Sequence, residues 1–273
     1  MSSLVKATGE RINFYGTNYQ VPWEDVAHQG LGTSTIPLNT LPAFYTAYLD
    51  GATSIEFDVR QTSDGELIIS HDATVNSTTI ATTSWDTIKA IVLATDDTYG
   101  QIRVPTLDET LTLCCYYNLI PVIHIYIDNT DGIEKIIKTV LHHGLSGKCI
   151  YNLNSYSGAS IITKAEQVAR IDKKAMFQFA YNSELTNTTY NSIVDDNSRI
   201  YIAIYKENEN ATKATFDSVK EMGYKTYLWG LYNMSSIMTG YSYKPDFVEY
   251  GDNIYVNEIR ENYLNNLNLV NPV

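Results

Sequence analysis

Positive charge is scarce in this 273-residue chain: 19 lysines and arginines stand against 31 aspartates and glutamates, a formal net charge of −12. No basic cluster offsets the deficit, which excludes a general nucleic-acid binder, because phosphate backbones are held by grouped Lys and Arg. An anionic substrate would need a local cation instead. Cysteine is nearly absent too. Cys114 and Cys115 are adjacent and Cys149 stands apart, a set that fits neither a metal knuckle nor a disulfide framework. No run is apolar and long enough to cross a membrane. The opening residues, "MSSLVKATGERINFYGTNY", lack the apolar stretch of a signal peptide. What is plentiful is tyrosine, 22 residues, with asparagine and threonine beside it. That flavour points to a virion or cell-surface setting and leaves a cytoplasmic one open.

Short apolar runs bounded by turn signals alternate with helical patterns along most of the chain. This predicts an α/β fold with a parallel sheet, and at this length one TIM-type (β/α)8 barrel in a single domain. The strand candidates are "DVAHQ", "SIEFDVR", "ELIISH", "PVIHIYI", "KCIYNL", "AMFQFA", "RIYIAIY", "TYLWGLY" and "DFVEY". Nine runs compete for eight places, so one lies outside the barrel. Helices are expected over "LPAFYTAYLDG", "TLDETLTLCCYYN", "GIEKIIKTVLHHG", "SGASIITKAEQVARI" and "ATKATFDSVKEMG", several of them stopping at a glycine. Residues 1–24 form an extension expected to pack on the barrel, and residues 25–273 form the barrel itself, with a polar insertion at 73–104.

Strand alternation puts Ile55, Phe57 and Val59 on one face and Glu56, Asp58 and Arg60 on the other. In "VIHIYID", His124, Tyr126 and Asp128 likewise oppose three isoleucines. In a barrel the aliphatic faces meet the helices, so two strands aim ionisable groups at one interior. Buried carboxylates need partners: Arg60 can neutralise one of them, or a divalent cation can satisfy both. Of the five histidines, His28, His71 and His124 fall at or near the ends of strand candidates, where barrel active sites are built. Two histidines beside a metal-bound phosphate fit a reaction in which one removes a proton from an attacking hydroxyl and the other protonates the departing oxygen. His142 and His143, near a helix end, read as structural or solvated.

"VAHQG", followed by "PLNTLPAFYTAYLDGATSIEFDVRQTSDGELIISHDATVNSTT", resembles the glycerophosphodiester phosphodiesterase family, with its His-Arg-Gly, Glu-Asn-Thr, Gly-Ala, Glu-x-Asp-Val, Thr-x-Asp-Gly and His-Asp elements. "RVPTLDETL" and "KTYLWGLYN" extend the likeness, so collinear motifs run from about residue 26 to 252. The resemblance implies a TIM-type barrel with Glu56 and Asp58 on one divalent cation (Mg, Ca, Mn or Zn) and His28 and His71 as the acid–base pair. It also implies Trp229 in the substrate pocket. In the family a glycerol hydroxyl attacks the neighbouring phosphate, the alcohol leaves, and water opens the cyclic ester.

Four positions depart from that pattern. The family's Arg after the first histidine is Gln29, and the Glu before its asparagine is Leu38. Its Glu-x-Lys, a metal ligand and a phosphate contact, reads His124-Ile125-Tyr126. His124 as third ligand favours manganese or zinc; Gln29 and Tyr126 leave the substrate phosphate with neutral donors. Two functions follow. One is a metal-dependent phosphodiesterase acting on a small or polymeric, teichoic-acid-like glycerophosphodiester. The other is a weakened or inactive barrel that binds a glycan or polyol phosphate, as in a phage tail or on a cell surface.

Overall fold

Eight of the nine apolar runs lie side by side in the computed structural model as parallel strands. They are β1 (Glu24–His28), β2 (Ser54–Gln61), β3 (Ile120–Ile125), β4 (Ile150–Asn152), β5 (Met176–Ala180), β6 (Ile200–Tyr205), β7 (Lys225–Leu231) and β8 (Phe247–Tyr250). Each pairs with the next and β8 pairs back onto β1, so the sheet closes into a barrel. The structure describes residues 4–5, 11–12, 18–19, 23–154, 159–183, 185–186, 188–206, 211–231, 233–251 and 255–258. The ninth run, "ELIISH", is the one left outside. Its strand, Leu67–Ile69, turns back antiparallel on β2, with Ile69 opposite Val59 and Leu67 opposite Gln61.

Helices α1 (Leu41–Leu49), α2 (Leu107–Tyr117), α3 (Thr130–His142), α4 (Ala159–Ile171), α5 (Lys213–Glu221) and α6 (Met234–Tyr241) connect the strands. Local chemistry starts them. The Thr40 hydroxyl accepts from Ala43 N–H, with Pro42 in the first turn of α1, and Thr106 and Glu109 form a reciprocal capping box on α2. The sequence reading missed α6, a short serine-rich segment with little apolar periodicity; Asn233 begins it by accepting from Ser236 N–H. Between β5 and β6 the described residues hold only a 3-10 turn, Asn197–Arg199.

Two apolar layers result from the alternation. Outward-facing Ile55, Phe57, Val59, Ile123 and Ile125 pack with Phe44, Leu111, Ile133 and Ile137 of the helices. Inside, Val26, Val122, Ile150, Tyr201, Tyr227 and Phe247 plug the barrel. Two residues further along several of these strands the inward side chain turns polar, and there the site begins.

Strand β1 takes in Glu24, the last residue given to the extension, because its N–H bonds Asp246 O at 2.8 Å. Within the extension three two-residue strands, Leu4–Val5, Arg11–Ile12 and Asn18–Tyr19, pair antiparallel; its packing on the barrel lies outside the described residues. The 73–104 segment carries two small hairpins and a one-turn helix, Trp85–Ile88. Val75, Ile80, Ile88 and Val104 bury one another with Ile68. Among the described residues no helix is long and apolar enough to cross a membrane.

Candidate active site

A cavity of about 270 Å³ opens at the C-terminal ends of the strands. Seven of the eight side chains singled out from the sequence line it: His28, Glu56, Asp58, His71, His124, Tyr126 and Trp229. Glu56 and Asp58 are only 2% and 1% exposed, a placement that would be costly without partners. Asp58 Oδ2 accepts from Asn39 Nδ2 at 2.8 Å and from Gln29 Nε2 at 3.0 Å. Its Oδ1 lies 3.3 Å from His124 Nδ1, which is also 3.6 Å from Glu56 Oε1. Glu56 Oε2 has no hydrogen-bond partner and lies 3.9 Å from His28 Nε2.

Ligand atoms of Glu56, Asp58 and His124 lie within 4.8 Å of one another. Two carboxylate oxygens and a ring nitrogen that close, with an orphaned carboxylate oxygen beside them, fit a divalent cation. Burial opposes ionisation of Asp58, but hydrogen bonds from His124 and Asn39 and the histidine charges hold its pKa below the ordinary value. Burial likewise works against the charged form of His124, yet the two carboxylates raise its pKa to about 9. Without metal, the His124 proton offsets part of the charge beside it; a cation and that proton compete for one place.

Arg60 does not join the carboxylates. His124 sits opposite Asp58 in the β2–β3 register and fills that role. The longer arginine, nearer the mouth, instead donates from Nε and Nη2 to the His71 carbonyl at 3.0 and 2.6 Å. Its guanidinium lies 4.4 Å from the Tyr126 ring centre. His71 Nδ1 is 3.0 Å from Asp72 Oδ1, which leaves Nε2 for the cavity. Tyr126 stands between His124 and His71, with ring centres 4.4 and 6.1 Å away. Trp229 leans on Tyr205 at 4.6 Å. Gln29 is the residue that does not line the cavity: it is buried and its amide is taken by Asp58.

Sequence reasoning passed over Asn39, Asn152, Asn154, Gln178 and Glu249; the last four line the cavity. Asn39 reaches Asp58 from a left-handed backbone, φ 56°, that only the fold reveals. Burial pushes the pKa of Glu249 up to about 7; the His28 charge opposes this and the Glu56 charge adds to it. Tyr227 donates its hydroxyl to Glu249. A signal for three of these was present. Asn152, Gln178 and Glu249 each follow an inward apolar residue by two, as His28 follows Val26 and His124 follows Val122.

A second groove of about 330 Å³ adjoins the cavity and shares Tyr126 with it, between the insertion (Thr79, Ile80) and the residues after β3 (Asp128, Asn129).

The pattern of the glycerophosphoryl diester phosphodiesterase family matches residues 28–250. The chain is similar to mouse glycerophosphodiester phosphodiesterase 1, with 34% identity over 103 residues, 34% of this chain. It spans only 31% of the length of that relative. Its fold is similar to a glycerophosphodiester phosphodiesterase from Parabacteroides distasonis, with a TM-score of 0.71, 17% identity, and 90% and 98% of the two chains covered. An Oleispira antarctica phosphodiesterase, solved in complex with the product sn-glycerol-3-phosphate, is also similar, with a TM-score of 0.67, 17% identity, and 87% and 95% covered.

Proposed function

The chain belongs to the glycerophosphoryl diester phosphodiesterase family, and from that premise we propose that it hydrolyses a glycerophosphodiester with His28 and His71 as its acid–base pair. The observation that carries this reading is the convergence of both histidines on the cavity that holds Glu56, Asp58 and His124. Those three residues would hold one divalent cation, and the nitrogen ligand favours manganese or zinc. When bound, the cation supplies positive charge to the phosphoryl oxygens.

The rest is the work of the chain. His28, half-buried beside Glu56, takes the proton from the glycerol hydroxyl as its oxygen bonds to phosphorus. His71, exposed and held through Asp72 and Arg60, gives its Nε2 proton to the alcohol oxygen as that P–O bond breaks. Water then opens the cyclic ester with the two roles reversed. The Oleispira structure supports the product side, since sn-glycerol-3-phosphate is what such a cleavage leaves. The adjoining groove favours a substrate that continues past the scissile bond, such as a teichoic-acid-like polymer.

One observation favours a second reading, a weakened barrel that binds a polyol phosphate: among the described residues no lysine or arginine lines the cavity. Incubating the purified protein with a glycerophosphodiester and manganese, and following products by phosphorus NMR, separates the two. Release of glycerol phosphate supports hydrolysis; tight binding without release supports the module.

A further inference from the structure

We propose that Asn154 and Gln178 form a hydroxyl-accepting subsite that selects a polyol by the hydroxyls that do not attack phosphorus. This rests on the phosphodiesterase reading of the cavity and adds the group that reads the alcohol. Gln178 is 2% exposed, and its Oε1 has no hydrogen-bond partner. Asn154 Oδ1 is buried and unpartnered in the same way. Both side chains line the cavity of Glu56, Asp58 and His124. They come together because Asn152 at the end of β4 sits opposite Gln178 of β5, and Asn152 Oδ1 accepts Asn154 N–H at 3.0 Å, fixing the turn that presents Asn154.

Two buried carbonyl oxygens without donors, on side chains that line one cavity, ask for O–H groups. A second phosphate or a carboxylate is disfavoured there, because the described lining adds the carboxylates of Glu56, Asp58 and Glu249 and no lysine or arginine. The fitting chemistry is a neutral, donor-rich polyol such as the glycerol end of a phosphodiester. A substrate lacking its remote hydroxyl would leave one acceptor unpaired and bind roughly tenfold more weakly.

The test compares binding of sn-glycerol 3-phosphate and propane-1,2-diol 1-phosphate, which lacks the terminal hydroxyl, to the full chain with manganese by calorimetry. Wild type should prefer glycerol phosphate by roughly tenfold. Gln178→Leu should erase the preference by weakening glycerol phosphate alone, whereas Gln178→Glu, which retains an acceptor oxygen, should keep it. A preference unchanged in Gln178→Leu overturns the subsite. So does equal loss in Gln178→Glu, which would mean that the amide donates to phosphate, and so does a wild type that binds the two alike or neither. Turnover of the matching diesters separates this from the reading beneath it. Preference without turnover removes the catalytic reading and leaves the subsite, and turnover without preference does the reverse.

Discussion

His124 and Asp58 sit opposite each other on neighbouring strands, with Nδ1 3.3 Å from Oδ1, so one histidine proton serves two buried carboxylates. The folded pKa of His124 is raised from 6.5 to about 9, so the metal-free fold binds a proton that the unfolded chain gives up. That stabilisation is complete below pH 6.5 and lost as pH rises through about 9. Thermal melts in chelator should decline across this window, and His124→Gln should flatten the decline. With manganese present the proton is displaced, so calorimetric metal affinity should rise over the same range.

Asn39 is the shorter of two amide contacts on Asp58 Oδ2. Asn39→Ala should lower stability by about 1–2 kcal/mol and weaken metal binding roughly ten- to hundredfold. Denaturant titration and calorimetry check the two effects separately.

Arg60 acts at one remove, through the carbonyl of His71 and the ring of Tyr126. A lysine cannot reproduce the double donation. Arg60→Lys should therefore reduce kcat roughly tenfold or more by misplacing His71, while KM and metal affinity stay close to wild type. Steady-state kinetics on a glycerophosphodiester reads the split.

Gly30 follows Gln29 with φ +85°, and a Cβ there would meet the Ala43 carbonyl carbon at 2.8 Å and oxygen at 2.9 Å. Both atoms belong to the α1 backbone and cannot rotate away. Gly30→Ala should cost about 2 kcal/mol or more, read as a lower midpoint in a urea melt.

Much of the barrel was legible because strands buried on both faces read as short apolar runs, and the odd run out, Leu67–Ile69, is the one that reverses on β2. Alternation alone placed Glu56, Asp58 and His124 on the inward face. It does not say how far along the barrel axis an inward residue lies. Tyr201 of β6 and Tyr227 of β7 are buried in the inner plug, whereas Trp229, two residues past Tyr227, reaches the cavity. Gln178 and Glu249 were passed over for that reason, and because no motif marks them. The destinations of Arg60 and Gln29 were hidden differently. Which partner a long side chain takes depends on what surrounds it: His124 fills the place beside the carboxylates that charge alone would have given to Arg60, and the Gln29 amide turns inward to share Asp58 Oδ2 with Asn39.

The central claim is that His28 and His71 move the protons of phosphodiester cleavage. Its most direct test is kcat on a glycerophosphodiester, with manganese, for wild type, His28→Ala and His71→Ala, each shown to be folded and metal-bound. The account predicts a fall of roughly 10²- to 10⁴-fold in both variants. Turnover at the wild-type rate in either one would contradict it.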